Sequence, residues 1–502
     1  MFGGAGPAAA WPVASPWPVQ EDVRPVLPGA QDQSDYLQIE SYPLPEDLVL
    51  EVGGIAILPD GRPIVCTRRG QVYIVSEGFT GNIEDASFSL FADGLQEPLG
   101  LLAESDGWIY VAQRGEVSRI RDDDGDDVMD VLETVCDDWD LSGNYHEYNF
   151  GPRRGPDGAL WITTNKPFGS KPFGEVSWRG FGMRIGSDGE AIPEVAGLRS
   201  PAGLGLSPFG ELFFTDNQGE WCGASKLSLL RPGSYHGHPH GVPSCKDERW
   251  RYPYPPESAN GIPYPDFARI EPRFQMPALW FPYDKMGRSP AGFVWDTEGR
   301  FGPFRGQCFV VDQYEAMVMR VCLEQVDGHW QGAVMRFCEG LACGAIRLAW
   351  APDGSLLVGE TNRGWGGKGH ASYGLERIRW RGATPFEVLS VHAQPDGFLL
   401  RFTLPVDPAS ARRLDAYRAE SYTYLSHSDY GSPEVDAMDL TIASAEVAQD
   451  GLSVRLRIDG LRPGFVHELH LDGVLSAKRS PLLHSALYYT LVKLAPREAS
   501  DD

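Results

Sequence analysis

One phrase recurs along this chain and constrains its fold more than any other feature. It consists of a short apolar strand, a Pro-Asp-Gly-like turn, a second apolar strand and a polar loop. It reads GIAILPDGRPIVCT from Gly54, LGLLAESDGWIYVAQR from Leu99, NFGPRRGPDGALWITTN from Asn149, AGLGLSPFGELFFTDN from Ala202, AGFVWDTEGRFGPFRGQCFVVD from Ala291 and AIRLAWAPDGSLLVGETN from Ala345. The steps between starts are 45, 50, 53, 89 and 54 residues, and four of these match one four-stranded propeller blade. A single such unit cannot bury both of its faces, so the copies must stack into a ring. The predicted fold class is therefore all-β: a six-bladed β-propeller over residues 36–383, followed by a C-terminal Ig-like β-sandwich. The long step holds one insertion, about residues 232–288, rich in Pro, Tyr and His. Tyr36–Val52 is expected to supply an outer strand that closes the ring.

From about Thr384 the pattern becomes the alternation of half-buried strands, as in PFEVLSVHAQPDGFLLRFTLPVD and HELHLDGV. The stretch 384–496 has the size of one Ig-like sandwich, and its residues suggest support or docking rather than chemistry. Residues 1–35 read as a disordered lead-in and 497–502 as a frayed tail. Met1–Gln20 contains no Lys or Arg, so it lacks the positive segment that opens a secretory signal. No run of 18 apolar residues exists to span a membrane. A formal charge of −25 repels phosphate backbones and makes nucleic acid an unsuitable partner. The eight cysteines form no Cys-x-x-Cys. They read as buried thiols, with Cys222–Cys245 and Cys338–Cys343 as the alternative pairings.

The sharpest chemical motif is the acidic loop Asp122 to Glu133. Carboxylates stand at Asp122, Asp124, Asp126, Asp130 and Glu133, with the Val128 carbonyl at the seventh position. That spacing wraps oxygens around Ca²⁺, although Asp127 stands where the sharp turn prefers Gly. A second group, Asn144, His146 and Glu147, lies just before the third repeat, where residues entering an innermost strand face the axis. His146 there suits a general base. The loops leading into other repeats carry Gln96, Arg199 and Arg347. Those leading out carry Arg68, Arg114, Asn217, Gln218, Gly219, Trp221, Arg363 and Trp365. Arginines converging on one axis suit a carboxylate-bearing or polyhydroxylated ligand, with Trp221 and Trp365 as stacking faces. Taken singly, each arginine could instead bridge blades through backbone carbonyls. His236, His238 and His240 alternate like metal ligands, but the Gly and Pro between them indicate a turn. No phosphate-binding Gly loop or nucleophile elbow is present.

At EPLGLLAESDGWIYVAQR, LSGNYHEYNFGP, LRSPAGLGLSPFGELFFTDNQGEW, TNRGWG, YGSPEVD and HELHLDGV the chain resembles the glucose/sorbosone dehydrogenase-like propellers. These are quinoproteins that use pyrroloquinoline quinone (PQQ), and the likeness points to a branch of large secreted bacterial proteins found in planctomycetes. The resemblance implies a sugar or aldose dehydrogenase that passes electrons to a separate cytochrome c, in the periplasm or outside the cell. It implies that His146 is the base on the sugar hydroxyl and that Arg199, Gln96, Arg347 and Arg363 contact the cofactor. The loop Asn217-Gln218-Gly219 would assist Ca²⁺ binding, while Asn144, Glu147, Trp221 and Trp365 would face the substrate. The chain departs from the family at Ser200, Gln313 and Ala345, where Asn and two cations are expected. Each lost cation weakens the hold on a cofactor with three carboxylates. The alternative is a non-redox propeller that binds or cleaves carbohydrate at the same channel mouth.

Overall fold

The computed structural model describes residues 29, 31–78, 81–169 and 176–496. The described residues are all-β apart from short helical turns and two α-helices, Tyr264–Ile270 and Pro408–Ala411. Among the described residues no helix is long and apolar enough to cross a membrane.

Five four-stranded antiparallel sheets form a propeller arrangement. The first four begin with the strands Val52–Ile57, Leu101–Ala103, Asn149–Arg154 and Gly203–Leu206. The fifth combines Ala345–Trp350, Leu356–Thr361 and Tyr373–Trp380 with Leu37–Ser41 from the start of the chain, which closes the ring as expected but with a strand shorter than 36–52. The strands of the Ala291 repeat do not stand alone. Pro290–Trp295, Cys308–Asp312, Met317–Val326 and His329–Glu339 pair in order, then continue into an eleven-stranded sheet. The reason is an edge: the last two of these strands are unusually long, and Gly332–Val334 pairs with Tyr488–Thr490 of the C-terminal unit.

The innermost strands of these units touch in sequence order and the last returns to the first. Their approach is close. A Cβ on Gly100 would sit 1.7 Å from the Gly151 carbonyl oxygen, so only glycine fits there. The turn glycines of the first and last repeats, Gly61 and Gly354, hold φ of +94° and +82°, the left-handed region the Pro-Asp-Gly signature requires. At the seam between first and last units, Val52, Ile55 and Val65 pack on Leu357 and Leu375.

Three units secure the loop leading into their first strand by a polar residue at the end of the second. Gln113 accepts from the Gln96 amide, Asp216 from Arg199 and Ser200, and Asp312 from Arg288 and Ser289. The mouth loops are thereby anchored to the sheets rather than left to solvent.

Residues 230–278 separate Ser225–Leu229 from the fourth blade's outer strand Leu279–Phe281, so the insertion expected at 232–288 ends before that strand rather than after it. Within the insertion, Ile262–Pro263 pairs with Leu425–Ser426 of the C-terminal unit. That unit is one continuous sheet. Its 13-residue strand Val435–Val447 pairs through one half with Arg418–Thr423 and through the other with Ser453–Asp459. The sheet folds over a core of Phe398, Leu400, Leu456, Leu469 and Tyr489. The stretch 384–496, expected as an Ig-like sandwich, shares one sheet with the strands of the Ala291 repeat. Most of the lead-in (1–28 and 30) and the tail 497–502 lie outside the described residues. Residues 31–35 are built in: Gln33–Asp35 form a turn, and Gln31 donates to the Phe386 and Pro481 carbonyls. All eight cysteines are buried free thiols, and neither alternative pairing forms.

Candidate active site at the propeller mouth

An open cleft of about 360 Å³ lies at one mouth of the ring, lined by Arg68, Glu97, Arg114, Tyr145, Tyr148, Arg363 and Trp365. Its centre is a carboxylate. Glu97 binds Arg68 at 2.8 Å, Arg114 at 2.6 Å and Arg363 at 2.6 Å. Burial pushes its pKa up, but Arg363, Arg114 and Arg68 outweigh burial and hold it below the usual range. With Arg68 also near Glu51, and Arg69 beside it, four guanidiniums share two carboxylates. The cleft therefore keeps a positive surplus inside a protein of charge −25. The Arg363 guanidinium lies 3.9 Å over the Tyr148 ring and its Nε is buried without a partner. Arg114 donates to the carbonyls of Asn144 (2.8 Å) and Tyr145 (2.5 Å), which fixes the loop that carries His146.

His146 is buried behind Tyr145 and Tyr148. Its Nδ1 lies 2.9 Å from the Lys166 carbonyl, which can only accept, so Nδ1 carries the proton. Nε2 is left as the acceptor, with the Ser200 hydroxyl at 3.5 Å. Burial first, then the nearby Arg199, hold its pKa down to about 3. The ring is thus a neutral imidazole with one lone pair available.

Behind it lies a second charged cluster. Glu220 pairs with Arg199 at 3.1 Å and with the Lys166 ammonium at 3.3 Å. Lys166 is fully buried, and burial, opposed by Glu220, brings its pKa down to about 8. Gly219 packs flat on the Arg199 guanidinium, where a Cβ would sit 1.8 Å from Nε. The Asn217 side-chain oxygen is buried with no hydrogen-bond partner.

Away from the mouth, Asp122, Asp124 and Asp130 bring carboxylate oxygens within 4.8 Å of one another, and they are the one such group among the described residues. Asp127 takes φ of +64°, so the turn that usually selects Gly is made by Asp, held by Arg62 at 2.6 Å. Asp124 has its pKa raised by Asp126 and Asp130.

Residues 60–246 match the family model described as a domain of unknown function (DUF7133). A protein of Thermus thermophilus assigned as an oxidoreductase (glucose dehydrogenase) is 22% identical over 68% of this chain and 99% of that one, with a TM-score of 0.51. The fold is that of a glucose dehydrogenase-like propeller. Lower in similarity, the PQQ-bound aldose sugar dehydrogenase of Streptomyces coelicolor is 17% identical over 71% of this chain and 100% of its own, at a TM-score of 0.48. The apo soluble aldose sugar dehydrogenase of Escherichia coli is 16% identical over 69% and 100%, at 0.47. No curated protein matches the chain by sequence.

In this propeller several expected site residues serve other ends. Arg347 does not reach the cleft. It plugs the axis, donating to the carbonyls of Gly53, Leu99, Ala202 and Ile346, which are orphaned where the inner strands converge. Gln96 is exposed, and its neighbour Glu97 lines the cleft instead. Asn144 latches the loop to Phe168, and Glu147 accepts from Ser142 and Gly143. Both are spent on loop geometry. Trp221 is buried against His238 rather than offered as a stacking face, whereas Trp365 is exposed beside Tyr145. The Gln218 amide donates to the Gly223 carbonyl. Glu133 is drawn off to Arg119, the Asp126 carboxylate accepts from the Val128 amide, and neither falls in the acidic group. His236, His238 and His240 are all buried, and they form no ligand group among the described residues.

Glu97, Lys166 and Tyr148 carry much of the site without a motif to mark them; only their place beside Gln96, Asn165 and His146 hinted at them. Tyr430 comes from outside the propeller altogether. Its loop is pinned by Trp221 donating to the His427 carbonyl (2.8 Å), Gly431 to Gly219 (3.2 Å) and Ser432 to Gly223 (2.8 Å). That sets the Tyr430 ring 5.1 Å from the Arg199 guanidinium.

Proposed function

We propose that this protein is a quinoprotein-type dehydrogenase that oxidises a sugar hydroxyl at the propeller mouth, with His146 as the general base. The observation that carries this reading is the His146 tautomer: a buried neutral imidazole whose Nε2 lone pair faces the Ser200 hydroxyl and feels the charges of Arg199, Lys166 and Arg363. We read the ring as six-bladed, with Pro290–Glu339 as the fifth blade in sequence and residues 36–383 as the propeller. We read 384–496 as an Ig-like unit fused to it.

The residues fit a tricarboxylate cofactor. Arg199, Lys166, Arg363 and Arg114 outnumber their carboxylates, and Arg363 Nε has no partner. These side chains would hold pyrroloquinoline quinone. When bound, that group supplies a two-electron acceptor for the hydrogen on the alcohol carbon. The orphaned Asn217 oxygen suits a Ca²⁺ ion at the loop 217–219, and Asp122, Asp124 and Asp130 suit a second, structural one.

The chain's own part is proton management. Nε2 of His146 takes the hydroxyl proton, and the Lys166 carbonyl steadies the resulting imidazolium through Nδ1. Arg199 and Lys166 oppose that positive charge. An anionic ligand beside them cancels the opposition and lifts the histidine back toward a working pKa. A cytochrome c as electron acceptor and a location outside the cytoplasm belong to the same reading.

Mixing the protein with PQQ and Ca²⁺ and following dye reduction across aldoses tests it. His146→Ala should lower turnover about 10²- to 10⁴-fold. No spectral change on adding PQQ, together with no dye reduction, would end the proposal. One observation favours the non-redox alternative: Arg347, one of the expected cofactor cations, is spent on the axis. Sugar binding by calorimetry without any cofactor effect would select that alternative.

A further inference from the structure

The largest feature that the proton chemistry leaves unused surrounds the cleft. Tyr145, Phe168, Trp365, Tyr283 and Tyr430 are all exposed, and Tyr430 keeps 63% of its surface in solvent. They follow one another around the mouth. Tyr145 lies 5.6 Å from Phe168 and 6.0 Å from Trp365. The strap after Trp365 runs beside Tyr314, to whose carbonyl the Lys368 amide donates at 2.7 Å. Arg288 joins Tyr314 (3.9 Å) to Tyr283 (5.0 Å). Tyr430 then closes on Arg199.

We infer that this rim binds a sugar chain of several units, whose end enters the cleft, rather than a free monosaccharide. The inference rests on the carbohydrate reading of the site given above. Three features support it. Exposed aromatic patches rimmed by polar groups mark binding surfaces, and flat rings offer apolar area to the C–H faces of sugars. Charged groups are interleaved with the rings: Asp284 pairs with Arg288, and Glu315 with Lys368. Such a mixed surface suits alternating hydroxyls and C–H faces better than the continuous apolar face of a protein partner. Finally, the rim is continuous with the cleft, because Tyr145 and Trp365 line both. The C-terminal unit thereby becomes part of the binding site through Tyr430.

Calorimetry on the full chain, with glucose and with cello- and malto-oligosaccharides of two to six units, tests this without relying on turnover. In one of the two series affinity should rise about tenfold or more between one and four units, the scale of one or two stacked rings. Trp365→Ala and Tyr430→Ala should each remove most of that gain, and Tyr430→Phe should keep it. Tyr254→Ala, an exposed ring elsewhere, should change nothing. Affinity flat with chain length in both series, or a gain that survives both alanine variants, overturns the inference. Glucose oxidised normally alongside flat affinities would overturn the chain and leave the dehydrogenase standing. Length-dependent binding without oxidation would do the reverse.

Discussion

At the residue scale the arginines show how one side-chain type serves opposite ends within a few ångströms. Arg347 and Arg363 are both buried, and burial lowers their pKa to about 9 and about 10. Arg347 is satisfied by backbone carbonyls, while Arg363 shares a carboxylate and keeps an idle N–H. Their substitutions should therefore separate. Arg347→Met should lower stability by several kcal/mol, because each orphaned buried carbonyl costs about 1–3 kcal/mol. Arg363→Met should cost less stability and weaken PQQ uptake instead. Urea unfolding and PQQ titration of both variants check this, and equal losses in both assays would refute the division. His146 was legible because Asn, Tyr and Glu flank it ahead of a repeat. Glu97 was not, because a carboxylate beside a Gln carries no mark of the three guanidiniums that only the folded loops bring to it.

At the scale of elements, the acidic hairpin after the second blade's third strand is the most motif-like segment, and none of its residues lines the cleft. Its backbone amides already satisfy part of Asp122, which accepts from Gly125 (2.7 Å) and Asp127 (2.9 Å). Three clustered carboxylates with mutual repulsion should bind Ca²⁺ and gain stability from it, by RT ln(1 + [Ca²⁺]/Kd). Chelation should lower Tm by a few degrees, and Asp122→Asn should abolish the dependence. A melting curve indifferent to chelator would remove this ion while leaving the Asn217 site untested by the same measurement. The spacing drew attention to the loop in which Asp122, Asp124 and Asp130 gather. It overcounted ligands, since Glu133 lies opposite Arg119 in the strand register and pairs there. Sequence spacing knows the positions along a loop but not the cross-strand partner.

At the scale of the whole molecule, the ring closes at a buried acid pair. Glu360 and Glu376 stand on neighbouring strands of the closing sheet, where Ser41 of the N-terminal strand donates to Glu376 at 2.5 Å. Burial, then Glu376, raise the Glu360 pKa well above its ordinary 4.5. The folded state therefore holds a proton that the unfolded chain has released. That contribution is fully present below the unfolded carboxylate range and is lost as pH rises through the raised folded value. Stability should fall with rising pH above about 4.5 more steeply than in Glu360→Gln, which has the same shape without the ionisation. Chemical denaturation from about pH 5 to 9 measures both. Parallel curves would show that closure does not depend on this proton.

The chain's own sequence determined the repeat, the turn glycines, the ring closed by its N-terminal strand and the candidate base, because each depends on residues near one another in the chain or on a period. The tertiary structure alone decided which arginine plugs the axis, which carboxylate gathers the others and that Tyr430 reaches Arg199 from the far unit. Those outcomes depend on which backbone groups are left unpaired when inner strands meet, and on an exposed edge at Gly332–Val334 that a distant strand covers. Neither is a property of any local stretch.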